Sequence, residues 1–439
     1  MPKRLPTPDE VLQYMNNRYA VVTVGNRVKI AEVVRDPDLG TTQVRFYDPA
    51  SFRLKYSNKL VELLPMSPDE PSFSEWGDYW LGHDKRRQLE AVVFDPANKR
   101  NDCLNLWQGF AVSPRKGDIT PFTEFIERIV CNNEQSACEF VLSYFAHMVQ
   151  RPWDLPESAV VLLGGQGVGK SFFVKQMGQL LPDHFVHLTQ GTHLAGNFNS
   201  HLKQAVLIFA DEGSFVSKRA SAVIKGRISE PTYLMEQKGI DAIPMRNFGR
   251  VIIASNDPHV IHAQGDERRF CVLEVSPEKQ GDTSYFGQLA RFMEDGGREA
   301  LMHFLQERDL SDFDPRTPPK TKALTEQKIL SMTDIERWFF EVLSRGDLPK
   351  DSGFWPVQVS CRSVTRDYEN FCMDVGQRRR SAETQVGKFL HRLLPGLKIV
   401  RPGGGERQYV MPPLADCRRA MDRVIRSQTD WPDYDEEGT

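Results

Sequence analysis

The alternation of apolar and polar positions divides the chain into differently patterned stretches. Residues 19–64 carry the runs Tyr19-Ala-Val-Val-Thr-Val, Val28-Lys-Ile-Ala-Glu-Val-Val and Gln43-Val-Arg-Phe-Tyr between Gly, Asn, Asp and Pro turns, which predicts a small β-rich unit. Near residue 120 the spacing becomes helical. Thr120 followed by Pro121 marks a start, and Phe122, Phe125, Ile126, Ile129 and Val130 share one face. Ser136 and Glu139 have capping-box spacing ahead of Phe140, Val141, Tyr144, Phe145 and Met148. Arg151-Pro-Trp-Asp-Leu-Pro156 cannot continue that helix and closes the segment. Between Ser158 and Val275, short apolar runs at 159–163, 185–188, 205–209, 251–254 and 270–275 alternate with polar or helical stretches, the pattern of an α/β unit around a largely buried sheet.

Beyond a proline-rich connector at 312–322, Thr333 can cap a helix burying Ile335, Trp338, Phe339 and Val342. Ser360 precedes Val364, Tyr368 and Phe371, and Ser381 precedes Val386, Phe389, Leu390 and Leu393. Two short strands at 397–401 and 407–411 then flank Pro402-Gly-Gly-Gly-Glu406, and three helices with a hairpin form a winged-helix pattern. The expected organisation is a β-rich unit at 1–70, a helical collar at 71–152, an α/β core at 153–310, a connector and helix at 311–350, a winged-helix unit at 351–428 and an acidic tail at 429–439.

Composition narrows the classes. A chain of 439 residues, 40% hydrophobic and 26% charged, exceeds one typical domain and can bury a sizeable core, so wholesale disorder is excluded. The net charge of −3 gives no global case for nucleic acid, but the stretch from Val359 to Arg426 holds 14 Lys/Arg against 7 Asp/Glu, a local basic footprint. Seven scattered cysteines without a CxxC pair fit reduced thiols and exclude a zinc ribbon. With no apolar h-region at the start and no apolar run near the roughly 18 residues that span a bilayer, a cytoplasmic setting is expected.

Three segments carry chemistry. Gly164-Gly165-Gln166-Gly167-Val168-Gly169-Lys170-Ser171 fits G-x-x-x-x-G-K-[ST], follows an apolar strand and opens a helix. The glycines admit backbone N–H groups to phosphates, Lys170 offers a solvent-facing charge for the β/γ-phosphates, and Ser171 Oγ can ligate Mg²⁺. Some forty residues on, Ala205-Val-Leu-Ile-Phe-Ala-Asp211-Glu212 places two carboxylates at a strand end. Asp211 is expected to hold Mg²⁺ through water, and Glu212 to act as base toward an attacking water. Arg250-Val-Ile-Ile-Ala-Ser-Asn256 ends a third strand in an amide that can position that water, or, before Asp257-Pro258, can simply start a turn. ATP and Mg²⁺ are the cofactors these segments imply.

These motifs, closely spaced and ending in Asn256, resemble superfamily 3 helicases, the ring ATPases of DNA viruses, phages and plasmids. Asn105-Leu-Trp-Gln-Gly-Phe, Gln150-Arg-Pro, GGQGVGKS, ADE, IIASNDP and Arg268-Arg-Phe are similar to the helicase portion of phage and poxvirus-type primase-helicases, over roughly residues 75–430. The resemblance implies a P-loop, AAA+-like ATPase core, assembly as a homo-hexamer, and a β-hairpin whose tip lysine grips DNA in the channel. Thr232 to Pro244 has that form with Lys238-Gly239 at the tip, where viral relatives often have histidine after the lysine. Lys225 is a weaker match to the basic residue before the hairpin. Arg269 matches the arginine finger supplied to a neighbouring subunit, with Arg268 one register away and an ion pair to Asp266 or Glu267 as the plain alternative.

In the C-terminal unit, a helix with Lys388 and Arg392 beside a wing with Arg401 and Arg407 would engage a duplex or fork, or would dock protein instead. His184, His187, His193 and His201 straddle a strand and a loop without metal-ligand spacing and read as ordinary hydrogen-bonded histidines. The expected activity is therefore an ATP-driven DNA helicase of phage, prophage or plasmid replication, working with a separate primase or polymerase. The 150 residues before the loop, taken up by the β unit and collar, leave a fused primase unexpected. Two other classes stay open: an initiator or loader that binds DNA without unwinding it, and a P-loop kinase acting on a small molecule.

Overall fold

The computed structural model describes residues 5–38, 40–67, 70–196, 199–237, 240–263, 265, 267–376 and 382–432. Its centre is a five-stranded, wholly parallel sheet. In chain order the strands are β1 (Ala159–Leu163), β2 (Phe185–Leu188), β3 (Leu207–Asp211), β4 (Arg250–Ser255) and β5 (Phe270–Glu274), and in space they run β2-β3-β4-β1-β5. The central strands are apolar between their ends because both faces are covered, with polar residues only at Arg250, Ser255 and Asp211. Val160 and Leu162 enter one core with Phe209, Ile252, Ala254, Cys271 and Leu273, while Ala159 and Val161 enter a second with Ile208, Ala210, Val251, Ile253 and Val272. The insertion of β4 between β1 and β3 brings the end of the Asn256 strand between the Gly164–Ser171 loop and the acidic pair.

Helix Gln135–Gln150 is buried nearly all round and packs on helix Arg298–Glu307 in the first of these cores. A helix starts at Thr120 as expected, Thr120–Phe125, but Thr120 is its first residue rather than its cap, and Asp118 accepts the Thr120 N–H. The chain then widens into a π turn at Ile126–Val130. Asn132 and Asn133 both take left-handed backbone, so the long helix begins at once at Gln135 and Ser136 falls inside it without capping. The turn at 151–154 is held by the fully buried Arg250, whose guanidinium donates to the carbonyls of Arg151, Pro152, Asp154 and Phe248.

The N-terminal unit mixes helix and strand. Helix Pro8–Arg18 starts with a capping box between Thr7 and Glu10. Strands Tyr19–Val24, Arg27–Arg35 and Thr42–Tyr47 form an antiparallel sheet, with Gln88–Leu89 added in parallel at the edge. Helices Pro49–Tyr56 and Trp76–Gly82 close a core of Val11, Met15, Tyr19, Phe52, Tyr56 and Trp80. The boundary drawn at residue 70 falls within a hairpin of Leu60–Ser67 and Glu70–Glu75, and residues 83–118, expected as collar, contain no helix. Glu32 is buried in this unit, where its carboxylate accepts from Arg18, Lys55, Tyr19 and Tyr47.

After the sheet, helix Lys322–Leu330 joins the core to the C-terminal unit. Thr321 Oγ1 donates to Val272 O of β5, and Gln327 Oε1 accepts from the N–H groups of Val260 and Ile261 while its amide donates to Pro258 O. Lys328 Nζ donates to Gly265 O and to Ile425 O. The C-terminal unit packs helices Asp334–Arg345, Cys361–Asp374, Ala382–Leu393 and Leu414–Ile425 around Trp338, Phe339, Tyr368 and Phe389. Thr333, expected as a cap, forms a capping box with Glu336, and Ser360 accepts from the N–H groups of Arg362 and Ser363. Ser381 lies outside the described residues. The two expected strands, Lys398–Val400 and Gln408–Val410, acquire a third, Gln358–Ser360. Among the described residues no helix is long and apolar enough to cross a membrane, and all seven cysteines are buried free thiols.

Candidate active site

At the C-terminal edge of the sheet a cleft of about 340 Å³ is lined by Gln166 to Phe172, Asp211, Glu212, Ser255, Asn256 and Phe286. The loop follows β1 and ends at the first turn of helix Lys170–Gly178, which places the helix N-terminus at this cleft, a setting that favours an anion. Gly169 precedes that helix at φ 104°, and a Cβ there would stand 2.8 Å from a ring carbon of Phe286. Both the backbone conformation and the close approach require glycine.

Lys170 is 7% exposed, so it is a buried rather than solvent-facing charge. Its ammonium donates to Gly164 O at 2.6 Å, Gly165 O at 2.8 Å and Asn256 Oδ1 at 2.8 Å. Burial lowers its pKa, against the opposing pull of the Asp211 and Glu212 charges. Asn256 therefore faces the loop, and the turn after it is closed by Ser255 Oγ, which accepts from Asp257 N at 3.1 Å. Ser171 Oγ donates to the Asp211 carboxylate at 2.9 Å from Oδ2. Glu212 is exposed beside it with φ 59°, a left-handed conformation that costs a residue with a Cβ on the order of 1–2 kcal/mol.

The donor set fits Mg²⁺. Ser171 and Asp211 offer hard oxygens at the mouth of a cleft suited to phosphates, and Mg²⁺ keeps several waters and takes its other ligands from such groups. Among the described residues no three His, Cys, Asp or Glu side chains cluster into a cage that would hold a metal without phosphate. Of the four histidines, His184 is buried, accepts from Gln108 N, contacts Gln204 O and stacks on Trp107; burial lowers its pKa to about 4. His187 instead reaches Asp211.

Arg269 and Lys225 lie away from the cleft. β1 and β5 are parallel with Ala159 beside Phe270, so Arg269 stands at the opposite edge of the sheet, about 20 Å of strand from Gly164. There Glu267, whose side chain is 2% exposed, pairs with Arg269 Nη1 at 3.3 Å and with Lys225 Nζ at 2.6 Å. Lys225 is thus an ion-pair partner within the chain, and Arg268, the residue before Arg269, is exposed. Lys238 and Gly239 lie outside the described residues, but the hairpin that would carry them is formed, pairing Thr232 with Arg246 and Gln237 with Ile240. Lys388, Arg392, Arg401 and Arg407 are all exposed on the C-terminal unit. Arg392 approaches Glu336 at 3.7 Å.

Sequence reasoning passed over Phe286 and Gln280, and it read His187 only as an ordinary hydrogen-bonded histidine. Gln280 Nε2 donates to Gln166 O, and Gly281 N donates to Gly167 O, so the segment after β5 braces the loop. No local pattern marks Phe286 or Gln280, because their helix and turn meet the loop only through the tertiary fold. His187 was visible as one of the four histidines, and its position two residues beyond Phe185 on an edge strand was the available signal.

Comparison with known proteins gives three findings. A family of unknown function, DUF5906, matches residues 162–269. The DNA primase-polymerase of Nitratiruptor phage NrS-1 is 25% identical over 122 residues, 27% of this chain and 17% of that protein's length. The apo structure of the NrS-1 C-terminal region (305–718) superposes with a TM-score of 0.64 at 12% identity, covering 93% of this chain and 99% of the other. A second form of that region gives a TM-score of 0.64 at 13% identity over 92% of this chain. The fold is shared almost end to end.

Proposed function

We propose that this chain is a Mg²⁺-dependent ATPase that acts on DNA as a ring helicase of the superfamily 3 type in phage or plasmid replication. The observation that carries the reading is the convergence of Lys170, Ser171, Asp211, Glu212 and Asn256, from three separated segments, in one cleft at the sheet edge. Lys170 gives up its loop carbonyls to meet β/γ-phosphates, the loop N–H groups surround them, and Asn256 orients an attacking water. Glu212 accepts that water's proton. Mg²⁺ supplies neutralisation of phosphate charge, with Ser171 and Asp211 as its protein side.

The replication setting is supported by the fold shared with the C-terminal region of a phage primase-polymerase. In a homo-hexamer, Arg269 completes a neighbour's cleft, the 232–246 hairpin carries Lys238 to the strand in the channel, and the C-terminal unit acts as a winged helix at the fork with Lys388, Arg392, Arg401 and Arg407 toward DNA. A forked duplex incubated with the protein and ATP tests this directly. Strand separation that needs both ATP and Mg²⁺ is expected. Hydrolysis stimulated by DNA without separation would favour a loader, and phosphate transfer to a small acceptor would favour a kinase.

A further inference from the structure

We propose that His187 is a positioning residue for Asp211, fixing the carboxylate on the metal side of the cleft; this rests on the Mg²⁺-nucleotide reading of that cleft. β2 and β3 are parallel, with His187 directly beside Phe209. Side chains alternate along a strand, so Phe185 and His187 on β2 share a face with Phe209 and Asp211 on β3. The His187 ring lies nearly flat on Phe209, centroids 4.9 Å apart and planes 16° from parallel, and Phe185 continues the stack at 6.4 Å and 9°. This stack sets the ring plane and sends Nε2 along the strand direction to Asp211 Oδ2, 3.2 Å away.

The same Oδ2 accepts from Ser171 Oγ at 2.9 Å. Asp211 is therefore held from two sides, by the first turn of helix Lys170–Gly178 and by the edge strand. With only the serine, the carboxylate could rotate about its last torsion, because such sp³–sp² torsions are broad. With His187 also bound, rotation would break a second hydrogen bond. The hydroxyl spends its proton on Asp211, leaving the Ser171 oxygen lone pairs free for a cation. His187 touches neither nucleotide nor metal in this arrangement. Its effect must appear in how Mg²⁺ is held, while metal-free nucleotide binding stays unchanged.

Two substitutions separate the hydrogen bond from the stack. His187→Phe keeps the aromatic contact with Phe209 and removes the N–H, and His187→Gln keeps an amide N–H near the Nε2 position and removes the ring. Binding of a fluorescent ATP analogue is measured in EDTA and then across a Mg²⁺ titration. For His187→Phe the affinity in EDTA is expected to match wild type and the Mg²⁺ midpoint to rise about 10-fold, the lower end of what losing such an outer partner costs. His187→Gln should titrate close to wild type. A wild-type midpoint in His187→Phe, or equal impairment of both variants, would overturn the proposal, the latter by showing that only the ring matters. If the wild-type protein itself shows no Mg²⁺-dependent gain in nucleotide binding, the cleft reading fails first, and that result is read before either variant.

Discussion

Arg269 offers the most demanding test, because its position forbids the simpler arrangement. It stands about 20 Å of strand from Gly164 along the paired strands β1 and β5, well beyond the reach of its own side chain. If it serves a cleft at all, it serves another copy's. Arg269→Ala is structurally mild, since buried Glu267 keeps its pair with Lys225. Lys170→Met removes the ammonium from the cleft while keeping an unbranched stem in a buried position. Neither variant alone has an interface with both groups. In a one-to-one mixture, an interface is whole when Arg269→Ala supplies the cleft and Lys170→Met supplies the arginine, which random assembly gives at about one quarter of heterologous contacts. An arginine finger contributes about 10³–10⁵ in rate, or roughly 4–7 kcal/mol of barrier. With interfaces turning over independently, the mixture should reach about a quarter of the wild-type rate and exceed the sum of the separate variants by about two orders of magnitude or more. The assay is steady-state phosphate release, with subunit exchange followed independently on labelled chains. Additive rates despite demonstrated exchange would refute the trans assignment.

Three further outcomes are expected. Glu212→Gln should retain ATP binding and lose hydrolysis by about 10²–10⁴-fold in single-turnover measurements, whereas lost affinity would mean that Glu212 and Asp211 have exchanged roles. Lys238→Ala should keep most basal hydrolysis but lose its stimulation by single-stranded DNA, and normal unwinding by this variant would remove the hairpin tip from the mechanism. In the N-terminal unit, burial alone would raise the Glu32 pKa, but hydrogen bonds from Tyr47, Arg18, Lys55 and Tyr19 outweigh it and hold the group at about 2, against 4.5 for an ordinary glutamate. A depressed carboxylate pKa stabilises the fold above pH 4.5 and loses that contribution as pH falls toward 2. The shift corresponds to on the order of 3 kcal/mol, so hydrogen-exchange protection across residues 19–35, taken relative to the intrinsic rate at each pH, should fall in that window, and in Glu32→Gln already at pH 7. Protection that is equal in variant and wild type and unchanged across the window would contradict this.

The core and its cleft were legible because both are written locally. Strands buried on two faces are apolar, as at Ala159–Leu163, and the glycines and lysine of the Gly164–Ser171 loop stand within eight residues of one another. Asp211 and Asn256 were legible as polar ends of such strands. Their meeting depended on β4 lying between β1 and β3, which no local pattern encodes. The N-terminal helices were missed although Thr7-Pro8-Asp9-Glu10 carries a capping box with proline in the first turn, a signal overshadowed by the β-rich runs that follow it. Ser136 was misleading for the opposite reason. Its spacing to Glu139 suits a cap, but two left-handed asparagines had already turned the chain, and the helix needed no further start. Burial of Lys170 could not be read from the motif, since it comes from carbonyls and an amide on two different strands' ends.

Helix Lys322–Leu330 has a mechanical consequence. The loop after Asn256 hangs from Gln327 by three hydrogen bonds, and Lys328 ties the far end of that loop to the last helix of the C-terminal unit. Each such bond, once its partners are buried, costs on the order of 1 kcal/mol or more to leave unmade. Shifting the loop while leaving the C-terminal unit in place would break several together. The joint thus has the stiffness of a keyed shaft rather than the slack of a tether, holding the loop after β4 and the last helix of the C-terminal unit in one register.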